Sequence, residues 1–214
     1  MRELRDVAAL LKRLGHEPAT IIDVGVATGT PELYRAWPEA YLVLVEPLPP
    51  HRKGIEGILS RRSGEAHEVA LSDAPGTVSV EIDPTPERLA QAEVIDAPKG
   101  GTDRFEIDVR RLDDLPLARD VPEGSLLKVD AQTGDLRVLR GAAETLRRCD
   151  VVIAEASLYS PRNLVRDIVN HMDDAGFRLF EIFGHLARAH DGAQGQVDLA
   201  FVRKGHPIIA HESW

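Results

Sequence analysis

Leu4, Val7, Ala8, Leu11 and Leu14 recur at three- and four-residue intervals over residues 3–14, the spacing of one helix face, and Gly15 supplies a stop. A short apolar run, IIDVG at 21–25, ends on glycine, and Thr30-Pro31-Glu32 reads as a helix cap, a first-turn proline and a first-turn acid. YLVLVEP at 41–47 predicts a second buried strand and HEVALSD at 67–73 a third, with PPHRKGIEGILSRR between them helical in spite of Gly54 and Gly57. Strands separated by helices of this length pair in parallel through right-handed crossovers.

The middle of the chain changes period. GTVSVEID at 76–83 and RFEIDVRRL at 104–112 alternate apolar with polar residues and flank a Pro- and Gly-containing stretch from Pro84 to Thr102, so they predict an inserted pair of strands carrying a loop that can lie over the site. The buried-strand pattern resumes with SLLKVDAQ at 125–132, a helix over 134–148 and DVVIAEA at 150–156. A helix over 161–175 follows, then strands at 177–184 and 196–204. The connection over 184–195 has no helix signal, which makes these last two strands an antiparallel pair at the sheet edge.

A chain of 214 residues with 43% apolar content suits one α/β domain over 1–214, with 1–18 as an N-terminal helical segment and 76–112 as the insertion. A formal charge of −9 argues against nucleic acid as a partner, and the arginine pairs Arg61/Arg62, Arg110/Arg111 and Arg147/Arg148 read as solvated faces. Cys149 is the single cysteine, which excludes an intrachain disulfide and a cysteine-rich zinc site. With no signal-like or membrane-spanning apolar stretch, the protein is expected to be soluble and cytoplasmic, without a membrane partner, and either a monomer or a homodimer.

Ligands of open α/β sheets sit outside the carboxyl ends of the strands, where strand order reverses. The first strand ends in Asp23-Val24-Gly25-Val26-Ala27-Thr28-Gly29, whose glycines permit a tight turn and close approach by a ligand. The second ends in Glu46, about twenty residues on, where a nucleotide-binding fold needs a carboxylate for the ribose hydroxyls. Leu48 is placed to cover an adenine face and Ser72-Asp73 to accept from an adenine amino group. The fourth strand ends in Asp130-Ala131-Gln132, where an acid can bind an ammonium group, restrain a cationic cofactor or take a proton.

The order IIDVGVATGT, VEPLP, VALSD, RRLDDLP, LLKVDAQTGDLRVLRGA, VVIAEAS and QVDLAFV resembles the FkbM-type methyltransferase family from about residue 18 to 203. The resemblance implies a class I, Rossmann-like methyltransferase fold. That fold is a mostly parallel seven-stranded sheet with helices on both faces, an antiparallel last strand and an inserted strand pair between the third and fourth core strands. It also implies methyl transfer from S-adenosylmethionine, leaving S-adenosylhomocysteine, to a hydroxyl of a small natural product or sugar. By position, Asp23, Gly25, Ala27, Thr28 and Gly29 would shape the methionine-side pocket, Glu46 would hold the ribose, Asp73 would meet the adenine and Asp130, beside Gln132, would face the methyl. The sequence departs from the family pattern at Ala27 or Thr28, where asparagine is usual, at Thr133, commonly glycine, and at Asp135, usually glutamate.

Candidate bases for the hydroxyl proton are Asp130 and Glu155 at strand ends and His185 on the late loop. The other histidines, His16, His51, His67, His171, His190, His206 and His211, read as surface or strand residues. Asp130, Glu155 and Asp198 could gather a divalent metal, although their spacing does not compel it. Two alternatives stand beside methyl transfer. An NAD-dependent oxidoreductase would want G-x-G-x-x-G where Val26 interrupts the closest match, and a noncatalytic cofactor-binding relative would account for the altered loop residues.

Overall fold

The computed structural model describes residues 1–82, 103–116, 120–132 and 134–210. The loop assigned to 84–102 and the departure at Thr133 fall outside the described residues. Among the described residues ten strands and six helices follow one another as α1 (Leu4–Arg13), β1 (Thr20–Val24), α2 (Pro31–Ala36), β2 (Tyr41–Val45), α3 (Arg52–Leu59), β3 (Gly64–His67), β4 (Ala70–Leu71), β5 (Gly76–Ile82), β6 (Asp103–Arg110), β7 (Ser125–Val129), α4 (Asp135–Arg140), α5 (Ala143–Arg148), β8 (Cys149–Ser157), α6 (Val165–Asp174), β9 (Phe177–Ala187) and β10 (Gln194–Arg203).

Seven strands form one sheet in the order β3-β2-β1-β7-β8-β10-β9, with β10 antiparallel to both of its neighbours. The order reverses between β1 and β7, which places the crevice for a ligand outside the carboxyl ends of those two strands. The side-chain period of two divides the sheet between two apolar layers. Ile21, Leu42, Leu44, Leu126 and Ile153 pack under α1, α2 and α3, while Ile22, Val43, Val45, Leu127 and Val152 pack under α4, α5 and α6.

Several boundaries differ from the sequence expectation. The third core strand is Gly64–His67 rather than 67–73. An edge strand needs little apolar content, whereas Val69 and Leu71 are drawn to the opposite apolar layer and Ala70–Leu71 pairs with β6. The insertion is therefore a separate three-stranded sheet, β4-β6-β5, rather than a strand pair. The helix expected over 134–148 breaks at Gly141, a position where a Cβ would stand 2.1 Å from the carbonyl oxygen of Ser72. The restarted helix α5 is capped from outside: the Asp113 carboxylate accepts from the amides of Glu144 and Thr145, each at 2.9 Å. Thr30 begins α2, but its hydroxyl makes no capping bond. Residues 161–164 precede α6 without being helical. The last hairpin is longer than expected, so His185 lies in strand β9, exposed, rather than in a loop. His16 is buried rather than on the surface. Among the described residues no helix is long and apolar enough to cross a membrane.

Candidate active site

Strand register alone assembles a row of charge. Asp23 is the partner of Lys128 across β1 and β7, Lys128 of Ile153 across β7 and β8, and Glu155 of Asp198 across β8 and β10. Partners share a face, as do residues two apart on a strand, so Asp23, Lys128, Asp130 and Glu155 project to one side toward the carboxyl ends of β1, β7 and β8, and Asp198, in the amino-terminal half of antiparallel β10, projects to the same side.

Lys128 joins the row. Its Nζ lies 3.3 Å from Asp23 Oδ1 and 3.6 Å from Asp130 Oδ2. Burial works against its charge, but Asp23 and then Asp130 outweigh that cost and raise its pKa. Asp23 is wholly buried, and its Oδ2 accepts from the Tyr34 hydroxyl at 2.5 Å. Burial, together with that carboxylate, keeps the phenol protonated. Oδ1 of Asp130 is buried with no hydrogen-bond partner among the described residues.

One ammonium does not neutralise the remaining acids. Burial, then repulsion from Asp130 and Asp198, pushes Glu155 from 4.5 up to about 7, and burial with Asp130 pushes Asp198 up to about 6. Gln196 Nε2 donates to Glu155 Oε1 at 2.7 Å and orients that carboxyl. Asp135, at the start of α4, is fully buried, and its oxygens accept from the amide of Glu155 at 3.3 Å and from Asn163 Nδ2 at 3.1 Å. Burial, then Glu155 and Asp130, holds Asp135 well above the usual carboxylate range.

The shift on Glu155 has a testable sign. A raised folded-state pKa favours folding fully below pH 4.5, and that contribution is lost as pH rises through about 7. Glu155→Gln should therefore stabilise the protein by on the order of 2 kcal/mol at pH 8 and by almost nothing at pH 4. Urea denaturation at the two pH values measures this, and equal effects at both would contradict it.

A second set of groups follows β1, β2 and β4. Glu46 is 5% exposed, and its Oε2 accepts from the amide of Ala27 at 2.8 Å and its Oε1 from the amide of Leu48 at 3.0 Å. A carboxylate offers about four acceptor sites, so each oxygen keeps one for a vicinal diol. The same bonds fix the turn after β1, where Gly25 has φ +76° and Ala27 φ +45°. Among the described residues the other non-glycine at positive φ is Gln132, at +48°, in the turn after β7. Such conformations cost about 1–2 kcal/mol each for a residue with a Cβ, and both lie on the two loops that flank the crevice.

Leu48 is buried. Asp73 Oδ1 accepts from Ser72 Oγ and from Arg137 Nε, both at 3.1 Å. Burial pushes the Asp73 carboxyl up, but these two donors together outweigh it and hold the pKa low, with Oδ2 left to accept. Thr28 is exposed on the first turn and Gln132 on the second, while Gly29 closes the first by donating to Val26 O at 2.6 Å. Of the residues the sequence reading named, Asp23, Gly25, Glu46, Asp73, Asp130 and Glu155 lie toward or just after the carboxyl ends of β1, β2, β4, β7 and β8. Tyr34, Lys128, Asn163 and Gln196 were not among those named. Lys128 carried a signal, since a lone charge inside the buried run SLLKV has to be paired.

Comparison with known proteins agrees with this architecture. Residues 23–179 match the methyltransferase FkbM domain. Among solved structures, the SAM-bound magnesium protoporphyrin IX methyltransferase from Synechocystis PCC 6803 superposes with a TM-score of 0.52 at 11% identity, covering 94% of this chain and 78% of that one. Its SAH-bound form gives a TM-score of 0.50 at 10% identity, covering 94% and 82%. Precorrin-6y C5,15-methyltransferase from Geobacter metallireducens gives 0.49 at 12%, covering 93% and 87%. At 11% and 10% identity the likeness to the two forms of the Synechocystis enzyme is one of fold. No curated protein matches the sequence. The domain match extends over more than half of the chain and includes both turns and every strand from β2 to β8, so the protein belongs to the FkbM methyltransferase family.

Proposed function

We propose that this protein transfers the methyl group of S-adenosylmethionine to a hydroxyl oxygen of a small natural product or sugar, as a cytoplasmic enzyme without nucleic-acid or membrane partners. The observation that carries this reading is the single sheet face on which Asp130, Glu155 and Asp198 meet beside the Glu46 carboxylate and the strained turns at Ala27 and Gln132. The residues present fit the cofactor. Glu46 retains acceptor capacity for two ribose hydroxyls, Asp73 Oδ2 for an adenine amino group, Leu48 offers an apolar cover and Asp130 Oδ1 is buried without a donor. When bound, S-adenosylmethionine supplies an electrophilic methyl on a sulfonium centre.

The chain's own residues then have two tasks. The first is alignment: Asp23, locked by Tyr34 and Lys128, holds the first turn rigid, and Lys128 fixes Asp130 at the end of β7. The second is the proton of the acceptor hydroxyl. A base works best with a pKa near the working pH, and Glu155, pushed up to about 7 and oriented by Gln196, meets that condition with Asp130 beside it. His185, exposed on β9, stands as a further candidate.

Asp130→Asn should lower methyl transfer at least tenfold while the circular dichroism spectrum stays unchanged. Full activity in that variant with an accepted hydroxyl substrate would remove Asp130 from the reaction.

A further inference from the structure

At the end of the sheet opposite the crevice, three chain segments bring metal-binding side chains together. His16 lies between α1 and β1, Asp150 at the start of β8, and His206 just after β10, so all three sit where the parallel strands begin. One ligand atom from each lies within 4.8 Å of the other two. His16 is 3% exposed, and its Nε2 is buried with no hydrogen-bond partner among the described residues. A buried imidazole nitrogen without a partner carries a desolvation cost that coordination would remove.

The donor geometry suits an ion. His206 Nε2 is 3.5 Å from Asp150 Oδ2, close to the roughly 3.3 Å that separates two ligands on a tetrahedral zinc with bonds of about 2.0 Å. The second oxygen of Asp150 is committed elsewhere, 3.6 Å from Arg203 Nε, and Arg203 itself donates to the carbonyls of Leu146 and Cys149. Asp150 is thus oriented by an outer-shell cation with Oδ2 turned to the histidines. The edge of the His16 ring faces Trp37, with centroids 5.7 Å apart, which fixes the ring plane.

We propose that His16, Asp150 and His206 bind one divalent transition-metal ion, zinc with a water as its fourth ligand being the best match to two imidazoles and a carboxylate, as a clip remote from the methyl-transfer crevice. The ion ties the α1–β1 connection to β8 and to the short 3₁₀ turn Pro207–Ile209. Binding has one local consequence. His206 Nδ1 accepts from the amide of Ile208 at 3.2 Å, which puts the ring proton on Nε2. Coordination through Nε2 requires the opposite tautomer, so this one bond is exchanged for the bond to the ion and the ring proton moves to Nδ1.

The test titrates Zn²⁺ into the metal-stripped protein by calorimetry and follows melting, with Mg²⁺ as the hard-cation control. Wild-type protein should bind one Zn²⁺ with micromolar or tighter affinity and melt about 5–10 °C higher at roughly 100 times Kd. Mg²⁺ should do neither. His206→Asn keeps an acceptor for the Ile208 amide and removes the ligand, and Asp150→Asn keeps the shape of the carboxylate; each should weaken Zn²⁺ at least tenfold. Nitrogen NMR of the wild-type histidines needs no variant and should show His206 changing tautomer on Zn²⁺ addition. Absence of Zn²⁺ binding, binding undiminished in both variants, or a His206 tautomer unmoved by saturating Zn²⁺ would overturn the site.

Discussion

Glu46→Ala is expected to weaken S-adenosylhomocysteine binding by at least about 100-fold, since each charge-assisted hydrogen bond from a ribose hydroxyl contributes about 1.5–3 kcal/mol. The loss extends beyond the ligand contacts. Glu46 also accepts from the amides of Ala27 and Leu48, and both donors would be left unpaired in a buried turn. Ala27, held at φ +45° by that bond, would relax and move the methionine side of the crevice as well. Glu46→Gln keeps one acceptor oxygen and should fall between the two. Calorimetry measures the affinities, and binding within threefold of wild type in the alanine variant would contradict the assignment.

The second large effect belongs to Gly25. A Cβ at this position would stand 1.8 Å from the carbonyl oxygen of Asp130, a distance that only backbone movement relieves, and φ of +76° strains any residue with a side chain. The two turns are also tied to the sheet through main-chain bonds: Gly25 N donates to Val45 O at 2.9 Å and Asp130 N to Val24 O at 3.0 Å. Gly25→Ala should therefore cost at least about 3 kcal/mol and abolish cofactor binding. Gly54 provides the contrast, as a helical glycine with nothing within 4 Å of its Cβ position, where alanine should stabilise by about 0.5–1 kcal/mol. Urea denaturation distinguishes them, and a Gly25→Ala variant within about 1 kcal/mol of wild type would contradict the packing described.

What could be read from the sequence followed the strength of the local signal. The runs at 21–25, 41–47, 125–132 and 150–156 are apolar because they are buried on both faces, and their ends carry Asp23, Glu46, Asp130 and Glu155. The third core strand escaped because Gly64–His67 is a polar edge strand, while the apolar residues just after it serve another sheet. The requirement for glycine at 141 depends on a carbonyl sixty-nine positions earlier in the chain, at Ser72, which no local pattern reports. The capping of α5 by Asp113 is non-local in the same way.

The electrostatics of the crevice were legible only in outline. Spacing showed acids at strand ends, but register decides that Asp23 and Lys128 are opposite one another and that Glu155 faces Asp198. The elevated pKa of Glu155 comes first from burial and then from Asp130 and Asp198, the carboxylates that this register sets on its face. The pairing of His16 with His206 and Asp150 was invisible for a related reason, because it joins positions far apart in sequence at the ends of three strands.

The most direct test is a crystal structure of the wild-type protein with S-adenosylhomocysteine. The prediction is a ribose whose two hydroxyls meet the Glu46 oxygens, an adenine beside Leu48 and Asp73, and an amino-acid tail against the turn that starts at Gly25. A nucleoside bound away from Glu46 would contradict it.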